Sequence, residues 1–176
     1  MSAEKTVKNW FTKRAEAEAK KDFIPLNERI GNLVGAIAVL LITLYFVVHQ
    51  ISSTGFFTQK FGLAEAVLFY TSLLLGMILN VARSIIGRKN TVRPLDTLSS
   101  ALFFIALIWL FSVFPFEFSH FTDVLPSFLR FLLRWISNDI AKIFMTLGII
   151  ASIAFTAYTA VLYVFVRREL TKSLDG

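Results

Sequence analysis

GNLVGAIAVLLITLYFVV, residues 31–48, is eighteen residues without a single charged side chain. As a helix rising 1.5 Å per residue it reaches about 27 Å, close to the roughly 30 Å hydrocarbon core of a bilayer. The question it decides is whether this chain hides its apolar side chains in a protein interior or in lipid. A chain of 176 residues that is 56% hydrophobic, with nineteen phenylalanines, has too little interior to bury them all.

Working outward, three more blocks of the same kind follow. The spans are read as about 30–48, 63–86, 98–114 and 140–166. The third, LSSALFFIALIWLFSVF, is the shortest, and the fourth is long enough to tilt or protrude. The expected fold is therefore all-α. It is an integral membrane bundle of four transmembrane helices with an N-terminal cytoplasmic or interfacial helix and a short amphipathic interfacial helix before the last span. Residues 1–29 form a basic tail, 30–166 the membrane domain, and 167–176 a short C-terminal tail. The first apolar run is read as retained, since no small-residue cleavage site follows it.

Charge sets the expected orientation. Of eighteen Lys and Arg residues, fourteen fall in the N-terminal tail, the turn between spans two and three, and the C-terminal tail. Positive charge stays cytoplasmic. Both termini are thus expected inside a cell membrane, with loops His49–Gly62 and Pro115–Asp139 outside. The net charge of +6 reads as a topology signal, and nucleic acid is not an expected partner. Anionic lipid is: Arg88, Lys89 and Arg93 stand where head groups would lie. Asp96 is expected to cap the third span after a turn shaped by Pro94, and Asp139 to cap the fourth.

Two segments read as interfacial. Trp10, with Val7 and Phe11, gives the N-terminal helix an apolar patch suited to the inner leaflet or to a partner. Over about 124–137, Ser127, Arg130, Arg134 and Ser137 share one helical face against a broad apolar one. A surface helix with Arg130 and Arg134 reaching phosphates is the reading adopted; a re-entrant hairpin between Pro115 and Ser127 is the alternative.

Inside lipid, helices pair through close approach and polar contacts, because one hydrocarbon is no better than another. Small residues stand in register for this: Gly31 and Gly35 in the first span; Ser72, Gly76, Asn80 and Ser84 in the second; Gly148, Ser152, Thr156 and Ala160 in the fourth. Asn80 is expected to form an interhelical hydrogen bond. The third span has no such row and is expected to be the most lipid-facing.

The stretch that looks most like chemistry is FPFEFSHFTD, residues 114–123, where Glu117, His120 and Asp123 recur every third residue. With His49 on the same expected side, the residue types suffice for a divalent metal. The spacing does not preform a site, since on an α-helix the three would spread over roughly 120°. The reading adopted is an interfacial loop anchored by its phenylalanines, with no metal and no cofactor. No phosphate loop, His-Glu-x-x-His, nucleophile elbow or cysteine is present. The functional expectation is a small non-enzymatic membrane protein acting by contacts. It would be an accessory, anchoring or assembly subunit, or a self-associating scaffold, working as a homo-oligomer or with a membrane partner. The alternative is an oligomeric channel or transporter with a Ser/Thr/Asn-lined path.

Overall fold

The computed structural model describes residues 3–172, with the side chains of residues 3–9, Phe11, Glu169 and Lys172 excepted. Five α-helices carry it: α1 (Ala3–Lys20), α2 (Leu26–Ile51), α3 (Leu63–Ile86), α4 (Lys89–Val113) and α5 (Asn138–Lys172). The last four are long and apolar enough to cross a membrane. Their exposed faces are lined by large apolar residues such as Ile37, Leu41, Val67, Ile105 and Ile150. That is the surface of an all-α membrane bundle, with lipid as its solvent.

Consecutive helices pair: α2 on α3, α3 on α4, α4 on α5, with α1 laid against α5. At 35 residues α5 extends about 52 Å, more than the hydrocarbon core needs. The excess is where α1 docks: Ala15 is fully buried against Leu162 and Val166. This answers one expectation, since the N-terminal helix packs on the chain's own last helix. The proposed patch through Val7 and Phe11 lies outside the described side chains. Trp10 is half exposed.

The expectation for the third span is overturned. α4 packs on both α3 and α5, whereas the main partner of α2 among the long helices is α3. Val92, Ala106 and Leu110 form its buried face, and Ala106 is small enough to let neighbours approach. The helix also begins at Lys89, nine residues before the expected start, and runs through Pro94. Asp96 therefore lies within the helix and does not cap it. Its first turn is capped from outside, by the Asp22 carboxylate accepting from the Asn90 N–H at 2.9 Å. At the last helix the cap is also displaced by two residues. The Ser137 hydroxyl accepts from the Ile140 N–H at 3.4 Å, and Asp139 sits in the first turn, where its charge suits the helix dipole.

The segment expected as an interfacial helix over 124–137 is a six-residue 3₁₀ stretch, Ser127–Leu132, flanked by turns. Pro126 starts it, and the broad apolar face remains, with Phe128, Phe131 and Trp135 well exposed. The Arg130 guanidinium ties the stretch to the preceding turn, donating to the carbonyls of Leu125 (3.0 Å) and Asp123 (3.1 Å).

Candidate functional site

Three regions gather polar side chains: a cap at one end of the bundle, a clamp at the other and a groove between them.

The cap is made by the two loops at the α2–α3 and α4–α5 connections. They pair through Glu117 N–H to Phe56 carbonyl (2.7 Å) and Thr58 N–H to Pro115 carbonyl (3.0 Å). This pairing turns the phenylalanines inward. Phe56, Leu110 and Phe116 are buried, with Phe46, Phe57, Phe61, Phe69, Phe114, Phe118 and Phe121 packed around them. The rings meet edge-on or tilted at centroid distances such as 4.9 Å for Phe46–Phe69 and 5.3 Å for Phe56–Phe118. The expectation that these phenylalanines anchor a loop in the lipid interface is thus corrected: they form the cap's own core.

His49 ends α2 inside that core and is 1% exposed. Its Nε2 donates to the Phe121 carbonyl at 3.0 Å, since a carbonyl only accepts, and its Nδ1 accepts from the Thr54 hydroxyl at 2.6 Å. Tyr45 donates its hydroxyl to the same Phe121 carbonyl. Glu117 is held elsewhere. The Asn138 amide donates to both of its carboxylate oxygens, at 3.0 and 3.2 Å, while Asn138 Oδ1 accepts from the Phe118 N–H at 2.7 Å. These bonds, with two more from Ser119, keep the Glu117 carboxyl below its ordinary pKa. His120 pairs with Asp123 at 2.8 Å. Of the four residues considered as metal ligands, His120 and Asp123 thus pair with each other, while His49 and Glu117 are each bonded elsewhere. Among the described residues no three His, Cys, Asp or Glu side chains converge on one point.

The clamp joins α1 and the start of α2 to the two-residue turn between α3 and α4. Gly87, left-handed at φ +66°, ends α3 and presents its carbonyl to the Ile24 N–H at 2.8 Å. Arg29 caps α3, donating to the carbonyls of Ser84 (2.6 Å) and Ile85 (3.2 Å). Arg93 pairs with Glu18 at 3.0 Å, Lys89 with Glu28 at 3.2 Å, and Arg83 with Asp96 at 2.9 Å. Of the head-group candidates, Arg88 is exposed, Lys89 and Arg93 are engaged in this clamp, Arg130 holds its own loop, and Arg134 is exposed beside Glu117 and Asp139.

The small-residue rows divide. Gly35 packs against the Asn80 side chain, whose atoms a Cβ there would meet at 3.6 Å, and Gly148 packs against Leu107. Gly31 and Gly76 face open space. Asn80 bonds within its own helix, to the Gly76 carbonyl at 2.9 Å, and among the described residues makes no interhelical bond. Ser72 and Ser152 likewise bond to carbonyls three residues back, while the Thr156 hydroxyl is buried without a partner. Ser72, Gly76, Gly148 and Ser152 nonetheless share one groove of about 610 Å³, floored by Ser99, Ser100 and Phe103 of α4. It ends at Arg83 and Asp96. Towards the cap lies an apolar cavity of about 190 Å³, which shares Ser72 and Phe103 with the groove.

Sequence reasoning missed Tyr45, Thr54 and Asn138 in the cap, and Glu18, Asp22 and Arg29 in the clamp. Only Asn138, beside Asp139 at the start of an apolar run, carries a local signal, that of a helix start. No family model matches this chain, nor does any curated protein or solved structure.

Proposed function

We propose that this chain is a non-enzymatic, four-span membrane protein that acts by contacts, as an accessory, anchoring or assembly subunit or a self-associating scaffold. One observation carries the reading: five polar side chains within the spans are spent on the chain's own backbone. Thr43, Ser72, Asn80, Ser152 and Thr159 each bond a carbonyl three or four residues back in the same helix. A solute path would keep such groups turned to water, with an ionisable residue at depth. The charged residues sit instead at the two ends, Glu65 bonded to Trp109 and Arg83 to Asp96.

The clamp and both terminal helices share one end of the bundle, and that end carries most of the Lys and Arg. The positive-inside bias supports placing it in the cytosol, with the phenylalanine cap outside a cell membrane. Exposed Arg88 supports contact with anionic head groups. The open small-residue face at Gly31 suits a second copy or a membrane partner.

The groove lined by Ser72 and Ser152 is what a transport reading would use. Flux across liposomes containing purified protein separates the two. The contact reading expects leakage equal to that of empty liposomes. Flux abolished by Ser152→Leu would replace it with the transport reading.

A further inference from the structure

We propose that the groove between α3 and α5 and the cavity beyond it form one slot. It holds an acyl chain of a zwitterionic phospholipid with a primary ammonium, the phosphate on Arg83 and the ammonium on Asp96. The proposal rests on the reading of these helices as membrane spans.

The slot runs along α3 from Arg83 to Phe69, fourteen residues, or about 21 Å. That exceeds half of a roughly 30 Å hydrocarbon core, so a chain entering from one leaflet would pass the midplane. Its far end is the 190 Å³ cavity, walled by Phe46, Phe69, Leu107, Leu110 and Met145. An apolar void of about 150 Å³ stays dry and takes up a hydrocarbon ligand. A helix, about 10 Å across with its side chains, does not fit such a void, whereas a flexible hydrocarbon chain does. The Ser72 hydroxyl on the wall is already bonded to Phe69, so the lining offers water little.

The other end supplies the polar complement. Arg83 uses one nitrogen on Asp96 Oδ1, and among the described residues its other donors have no acceptor. Asp96 Oδ2 likewise lacks a donor. Their side chains stay 30% and 19% exposed where the slot ends. A cation and an anion side by side, each with spare bonding capacity, match a head group carrying both signs. A head group with phosphate alone would leave Asp96 Oδ2 without a donor and face its charge with another anion.

Full-length protein, delipidated in mild detergent, is titrated with phosphatidylethanolamine, phosphatidylglycerol and phosphatidylcholine of identical chains, and bound lipids are counted by native mass spectrometry. One phosphatidylethanolamine is expected, preferred about tenfold over either rival, a gap of about 1.4 kcal/mol. Gly76→Leu fills the slot where a Cβ meets no atom within 4 Å, so it should abolish that binding without lowering the thermal midpoint. Arg83→Gln with Asp96→Asn should erase the preference. Equal binding of the three lipids by the native chain overturns the proposal. So does undiminished binding by Gly76→Leu, or a change in oligomeric state in its place, which would give the slot to a second copy. Recovery of folded monomer without detergent would remove the membrane reading itself, a result distinct from any of these.

Discussion

The Nε2 of His49 lies 3.0 Å from the carbonyl of Phe121, seventy-two residues further along the chain. That bond fastens the end of the first span to the loop before the last. The same carbonyl accepts from Tyr45, and Thr54 satisfies the other ring nitrogen. The imidazole is thus fully bonded inside a shell of Phe56, Phe121 and Tyr45 rings. It is structural, and its loss leaves both a cavity and unpaired groups. His49→Ala should destabilise the fold by roughly 2–4 kcal/mol, read as a lowered unfolding midpoint in detergent. A midpoint unchanged within error would show that the cap contributes no stability.

Glu117 makes the cap acid-sensitive. Asn138 first, and then Ser119, hold its carboxyl below the ordinary 4.5. A depressed carboxylate contributes stability that is fully present above 4.5 and is lost as pH falls through the lower folded value. Thermal midpoints should therefore be flat in this respect above pH 5 and fall below 4.5. Asn138→Leu should weaken the fall by removing the principal donor. An identical acid slope in the variant would contradict the assignment.

The two glycines of the first span should respond oppositely. Gly35→Leu drives a side chain into Asn80 and pushes α2 off α3, costing about 1–3 kcal/mol. Gly31→Leu points into open space and should leave the monomer's midpoint unchanged. Should it instead dissolve an oligomer seen by crosslinking, Gly31 lies at a contact between copies.

Gly87 closes the clamp at φ +66°, a backbone conformation that a Cβ resists, and a Cβ there would lie 3.5 Å from the Arg29 guanidinium. Gly87→Val should cost at least about 1–2 kcal/mol from backbone strain alone. It should also free α1, read as faster proteolysis after Lys20 or Lys21. Unchanged proteolysis would separate the turn from the docking of α1.

The spans were legible because their signal is length and apolarity, which Gly31–Val48 carries without help from any other segment. Their facing was not. A phenylalanine such as Phe116 reads the same whether it meets lipid or Phe56, since both are apolar, and only the pairing of two distant loops decides. The start of α4 was hidden for a related reason. Pro94 is an honest local stop signal, and it is overridden by Asp22, sixty-eight residues before the amide that it caps. The clamp pairs Arg93–Glu18 and Lys89–Glu28 join segments whose charges, read along the chain, look like solvated ends. Of the small-residue rows, spacing named the participants but could not tell the filled faces from the open ones. Gly35 is covered and Gly31 is not.

The central claim is that four helices cross lipid, with the clamp on the cytosolic side and the phenylalanine cap on the other. The chain has no cysteine, so single cysteines report without background. Ser119→Cys in the cap and Arg88→Cys in the clamp are treated, in intact cells, with a membrane-impermeant maleimide. The account requires Ser119→Cys to label at once and Arg88→Cys to label only after the membrane is opened. Labelling of both from the same side, or in the reverse order, would contradict it.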